Sequence, residues 1–201
     1  FFAEQAGLVY LRQYFHREAL RCLGRARDLL LGSEVSAAEE REVNSHLAEL
    51  YLRIAEILAR DVGFEQAEEA GQRALEFAGE AEDQRLQVQA LLRVVQCRKE
   101  LGTADGAGML LDQAGRMADR LRDDDLLAEV DEERARWAMD RGEHDEALES
   151  LRAALGRVRS VGQEARESSI YDLMGGCYMT MGEFQKAREH MEVGFDLAER
   201  S

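Results

Sequence analysis

Four histidines, three cysteines, a run of aspartates and one glycine-rich loop are the residues whose types could do chemistry. His16, His46, His144 and His190 show neither HExxH nor any paired spacing that would present two metal ligands on one helical face. Asp123-Asp124-Asp125 lacks the alternating ligands and central glycine of a calcium loop. It reads as a turn followed by a helix start, where acidic residues suit the helix dipole. Gly102-Thr103-Ala104-Asp105-Gly106-Ala107-Gly108 precedes a helical stretch as phosphate loops do, but no strand leads into it and no lysine follows. Cys22, Cys97 and Cys177 are scattered through apolar stretches without CxxC spacing. An odd, dispersed set of this kind fits small hydrophobes in a reducing, cytoplasmic setting rather than a disulfide framework. Gly175-Gly176-Cys177 has no basic neighbour in sequence to activate the thiol. Nothing combines a nucleophile, a base and an orienting group, so no catalytic residue, metal or cofactor is expected.

The composition describes what would have to position any site. The 201 residues carry 45% hydrophobic side chains, enough for a packed core, and no proline. Ala, Leu, Glu and Arg dominate, a mixture that favours helices joined by short turns. Twenty-six basic residues face 41 acidic ones, a formal charge of −15. Such a surface repels nucleic acid and anionic lipid and favours a basic partner, besides keeping the chain soluble. No apolar run approaches the roughly 18–20 residues of a membrane span. The opening Phe1-Phe2-Ala3 has no methionine and no signal-peptide pattern, so the chain is expected to be a piece of a longer protein.

An internal repeat organises the rest. Ala19, Ala67, Ala107, Ala147 and Ala187 stand at successive intervals of 48, 40, 40 and 40 residues. Seven positions after each comes a small residue: Ala26, Ala74, Ala114, Ala154 and Gly194. Small residues seven apart share a helical face and let a neighbouring helix approach closely. Five positions before the last three anchors stand Gly102, Gly142 and Gly182, placed to end a helix in a left-handed cap. Tyr14 and Val62 replace that glycine in the first two copies. The pattern predicts helix, tight turn, helix, with each pair burying its apolar face on its neighbours.

These residues resemble the tetratricopeptide repeat family. In the last copy Met174-Gly175, Tyr178, Gly182, Phe184, Ala187 and Gly194 fall at the family's spacing. The fourth copy matches with Ala135, Gly142, His144, Ala147, Leu151 and Ala154. His16 and His144 hold the slot that Phe64 and Phe184 fill in other copies, a structural role. The period of 40 exceeds the family's usual period of about 34, and the closing proline is missing. Six extra residues add roughly a turn to one or both helices. Long-period forms of this kind look like the helical-repeat segments of bacterial regulatory and signalling proteins.

The resemblance and the register together imply an all-α fold, an α-solenoid of about five antiparallel helix pairs forming one repeat domain over residues 1–201. The pairs are expected at 1–31, 43–80, 83–121, 124–160 and 163–200. The stretch 32–39 is a longer loop, and Ser36 with Glu39 forms a capping box that starts the next helix. In the second copy Val62 and Gly71 stand where a turn glycine and a large residue are expected, so irregular packing is anticipated there.

In the family the first helix of each pair lines a concave groove that binds extended or helical peptides. That resemblance places Leu52, Glu56, Ala59 and Arg60 in the groove, then Leu92, Gln96, Lys99 and Glu100. Glu132, Arg136, Met139 and Asp140 follow, and finally Asp172, Gly176, Met179 and Thr180. The surface leans acidic, with two methionines able to adapt to an apolar anchor. It lacks the lysine and asparagine set with which chaperone-binding members clamp a terminal carboxylate. The implied function is a non-enzymatic scaffold for a protein or peptide, with no direct nucleic-acid or membrane contact. The alternatives are self-association through apolar end faces (Phe1, Phe2, Phe195, Leu197) and a peptide or small-molecule sensor.

Overall fold

The computed structural model describes residues 2–12, 16–32, 36, 39–61, 63–103, 106–160 and 162–200, with residues 10–12 described by their backbone alone. Among these there are ten α-helices and no strand. In chain order they are α1 (Phe2–Arg12), α2 (His16–Leu31), α3 (Glu40–Arg60), α4 (Phe64–Glu80), α5 (Gln84–Glu100), α6 (Ala107–Leu121), α7 (Asp124–Asp140), α8 (His144–Ser160), α9 (Glu164–Thr180) and α10 (Phe184–Arg200). Two compact units form, Phe1–Leu110 and Leu111–Ser201, with the divide inside α6.

The 40-residue period resolves into something simpler. Helices α4, α5, α7, α8, α9 and α10 are each 17 residues long and each begins 20 residues after a counterpart or at a multiple of that interval. One helix plus a three-residue turn is therefore the unit, about 25 Å of helix at 1.5 Å per residue. From α4 to α10 each turn closes in the same way. Gly142 adopts φ +75°, its amide donates to the Met139 carbonyl at 3.0 Å, and the Glu143 amide donates to the Ala138 carbonyl at 2.9 Å. The same left-handed conformation appears at Gly102, Gly162 and Gly182. It is also forced on Glu82 (φ 53°) and Arg122 (φ 54°), residues whose Cβ makes it costly. After Glu82 and Arg122 the next helix starts on an aspartate. Asp83 accepts from the Leu86 amide at 3.0 Å, and Asp123 accepts from the amides of Asp125 and Leu126, each at 3.1 Å.

The anchor alanines do what their spacing demands. Ala19, Ala67, Ala107 and Ala147 are fully buried and Ala187 nearly so, as are Ala74, Ala114 and Ala154 seven residues on. In the first unit Leu23, Leu50, Ile54 and Ile57 build a core between α2 and α3, and Leu86 closes a second cluster on Ala48 and Ala78. In the second unit Leu148, Leu151, Ile170, Met174 and Tyr178 pack α8 against α9. In the second copy the packing at Gly71 is close. Gly71 is buried, and a Cβ there would sit 3.2 Å from Val94 Cγ2, so the missing side chain lets α5 close onto α4. Val62, Tyr14 and Asp105 lie outside the described residues.

The loop before α3 differs from a standard capping box. Ser36 donates to the Glu39 carboxylate through both its amide, at 3.2 Å, and its hydroxyl, at 2.7 Å. Glu39 in turn donates its amide to the Ser36 carbonyl at 2.9 Å. Helix α3 then begins at Glu40, three residues earlier than the apolar pattern places it.

Candidate binding surface

His16, His144, Cys97 and Cys177 fall into structural roles. His16 Nδ1 lies 2.8 Å from Asp61 Oδ1, tying the start of α2 to the residue after α3. The His144 carbonyl accepts from the Cys177 thiol at 3.4 Å, and its ring Nδ1 lies 3.4 Å from the Thr180 hydroxyl. Cys97 and Cys177 are almost wholly inaccessible, and burial pushes both thiols up, away from the thiolate needed for attack.

In the first unit the expected groove residues lie on α3 and α5. Leu52 is half-buried against the cluster of Ala48, Ala78 and Leu86, and Leu92 is buried outright as core. The Arg60 guanidinium donates to Glu56 at 2.6 Å across one helical turn, and Arg93 donates to Gln96 at 2.9 Å. Lys99 is half-buried near the end of α5. Of these polar side chains, Arg60 and Glu56 match their charges along α3.

In the second unit the expected residues separate into two groups. Glu132 is only 7% exposed. It accepts from Arg166 Nε at 2.6 Å and from Arg136 Nη2 at 3.3 Å, so its charge is spent on holding α7 to α9. Arg136 also donates to Glu133 at 2.6 Å, and Arg166 to Asp125 at 2.6 Å. Asp172 is exposed but leans toward α10, where a Cβ on Gly194 would meet its Oδ1 at 2.8 Å. Glu132 does not present the open acidic surface that helix position alone implied, whereas Asp172 remains exposed.

Met139, Asp140 and Met179 make the remaining group. Met139 of α7 packs beside the core of the second unit, its Cε 3.9 Å from the point where Gly176 of α9 would carry a Cβ. Met179, one turn on from Gly176, is 50% exposed, and Asp140 is exposed at the end of α7. The absent side chain at Gly176 leaves an apolar floor bounded by two methionines. Met179 also borders a second depression of about 450 Å³ lined by Phe184, Arg188, Met191 and Phe195. Phe184 and Phe195 are 68% and 63% exposed.

Sequence reasoning missed the buried acids of α7. Asp131, Glu132 and Glu133 are consecutive and all buried. Asp131 accepts from Arg157 of α8 at 2.5 Å while Arg134 stands 3.7 Å away, and Arg134 also donates to Asp112 at 3.1 Å. The local part of this network was legible in Asp131-Glu132-Glu133-Arg134-Ala135-Arg136, where acids and arginines fall three and four apart. Arg157 and Arg166 arrive from other helices and left no such signal.

With this geometry in hand, the comparisons are direct. The family model described as Tetratricopeptide repeat matches residues 126–200. A search of curated protein sequences finds no match. Among solved structures, a Rap protein complexed with Competence and Sporulation Factor superposes with a TM-score of 0.83 at 18% identity, over 98% of this chain and 53% of that one. The Rap conjugation gene regulator of plasmid pLS20, in complex with the Phr* peptide, gives 0.80 at 16% identity over 99% and 53%. BtubC from P. vanneervenii gives 0.75 at 17% identity over 96% and 77%. The chain thus spans about half the length of the Rap proteins it matches. No described helix is long and apolar enough to cross a membrane. Residues 126–200 carry the tetratricopeptide repeat, and the chain has the all-helical fold of tetratricopeptide-like solenoid proteins.

Proposed function

We propose that the chain is a non-enzymatic interaction scaffold that binds a peptide or protein segment, as a regulatory part of a larger signalling protein. The observation that carries this reading is the methionine-bounded floor of the second unit, where Met139 rests over Gly176 beside the exposed Met179. Two flexible thioethers on an otherwise polar surface can mould to an apolar anchor residue, a chemistry suited to peptides of varied sequence. Asp140 supplies a polar contact at the end of α7. The net charge of −15 favours a segment with basic flanks. Solved proteins of this fold bind peptides, the Phr* complex among them, which is consistent with such use.

The test is a selection from a displayed library of 15-residue peptides on the immobilised chain. An enriched peptide is then titrated by fluorescence anisotropy against the parent protein, Met179→Asp and Phe195→Asp. Met179→Asp is expected to weaken binding by about tenfold or more, the cost of placing a charge in an apolar contact of 1–3 kcal/mol, with Phe195→Asp unchanged. If no peptide is enriched, or binding is indifferent to Met179→Asp, the groove reading fails.

A second reading rests on a different observation, the exposed Phe184, Met191 and Phe195 of α10. A contiguous apolar face on one helix supports self-association. Light scattering over a concentration series separates the two readings, because only self-association predicts a mass that rises with concentration and falls back with Phe195→Asp.

A further inference from the structure

In the first unit, α1 and α3 bring Glu4 together with His46 and Glu49, which stand 42 and 45 residues further along the sequence. Glu4 of α1 is 7% exposed, an unusual position for a carboxylate. Its Oε1 accepts from Arg53 Nη1 at 2.9 Å, and its Oε2 faces His46 Nε2 at 3.4 Å. Glu49 stands one turn after His46 on the same face of α3, and the nearest donor atoms of Glu4, His46 and Glu49 all lie within 4.8 Å of one another.

We propose that Glu4, His46 and Glu49 form a binding site for a divalent transition-metal ion, with one imidazole nitrogen and two carboxylate oxygens as ligands. The geometry fits the chemistry. Zn–N and Zn–O bonds of about 2.0–2.2 Å at a tetrahedral centre place neighbouring donors about 3.4 Å apart. Glu4 Oε2 and His46 Nε2 already stand at that separation. Glu49 is a half-buried side chain at the helix surface and reaches the same point by a rotamer change. Arg53 fixes the carboxylate of Glu4 through the other oxygen, which holds Oε2 toward His46 as outer partners do for metal ligands. The charges also call for a cation, since two carboxylates beside one guanidinium leave a net −1 when the imidazole is neutral.

Access is open. Glu4 and His46 line a pocket of about 630 Å³ whose other walls include Phe2, Leu29, Val43 and Leu50. Water entering from the pocket completes the coordination. The imidazole selects for zinc, nickel or cobalt over magnesium and calcium, which prefer all-oxygen shells. Bound metal ties α1 to α3, adding to the ion pairs that Glu4 makes with Arg53 and His46.

Isothermal titration with Zn²⁺ tests the proposal on the whole chain after treatment with a chelator. One saturable equivalent is expected, undisturbed by millimolar Mg²⁺. Loss of an outer partner alone costs metal sites about 10–100-fold in affinity, so His46→Ala, Glu4→Gln and Glu49→Gln should each weaken binding at least tenfold. His190→Ala, on α10 of the second unit, should leave it unchanged. Zinc should also slow amide hydrogen exchange in α1, and His46→Ala should abolish that protection while retaining the far-ultraviolet helical signal. The proposal is overturned if no saturable zinc binding occurs, if binding survives His46→Ala and Glu4→Gln, or if α1 exchange ignores zinc.

Discussion

At the scale of single residues, the informative side chains are charged ones that burial has put to work. Asp131 is the clearest. Burial pushes its carboxyl above the ordinary aspartate value of 3.8, outweighing Arg157 and Arg134, which pull it down. An acid whose pKa is higher folded than unfolded takes up its proton first in the folded state. Lowering the pH through that folded value therefore adds stability, until the unfolded chain protonates as well. The wild type should gain on Asp131→Asn between pH 7 and pH 4, read as the difference between their urea midpoints. A wild type that instead loses ground would mean that the arginines govern this carboxyl. Glu132 illustrates the same lesson for function. Its helix position marks it as a groove residue, yet Arg166 and Arg136 hold it, so charge reversal there would damage the α7–α9 contact before it touched any ligand.

At the scale of elements, the helix-plus-turn unit of 20 residues explains why the sequence tolerates so little variation in spacing. Each turn from α4 to α10 uses one left-handed residue, and glycine supplies it at Gly102, Gly142, Gly162 and Gly182. Glu82 and Arg122 occupy that position without glycine's freedom. Arg122→Gly is expected to stabilise the fold by about 1 kcal/mol, the lower end of the cost of placing an L-residue in that conformation. A raised urea midpoint at unchanged m-value would show it, and a lowered midpoint would mean that Arg122 contributes contacts worth more than its backbone strain. The glycine pattern was legible because a turn is local. The two exceptions were not, because what lets them persist is the packing of the flanking helices.

At the scale of the molecule, repeat proteins hold together through contacts between neighbours in sequence, so parts can fold without the whole. The second unit has its own core, running from Ala128 through Leu151 and Ile170 to Ala187. A piece spanning residues 103–201, which keeps α6 intact, should give a helical circular-dichroism spectrum and a cooperative melt at a lower temperature than the full chain. A non-cooperative melt would show that this core depends on the first unit. Its methionine floor should bind the selected peptide in that piece, while zinc should not bind there, since Glu4, His46 and Glu49 all belong to the first unit.

The all-helical class, the 40-residue period, the anchor alanines and most turns were fixed by sequence alone, because each depends on residues within one helix and its adjoining turn. A small residue every seventh position has no other economical meaning, and a glycine after a helix ends it wherever it occurs. The site chemistry followed the opposite rule. Glu4 and His46 meet across 42 residues, Glu132 finds Arg166 across 34, and Met139 settles over Gly176 across 37. Spacing along one chain cannot specify those meetings, because the azimuth at which two helices face each other depends on how their small residues interlock. His46 could therefore be excluded from metal chemistry by every motif in the sequence and still stand 3.4 Å from a buried carboxylate once α1 packs against α3.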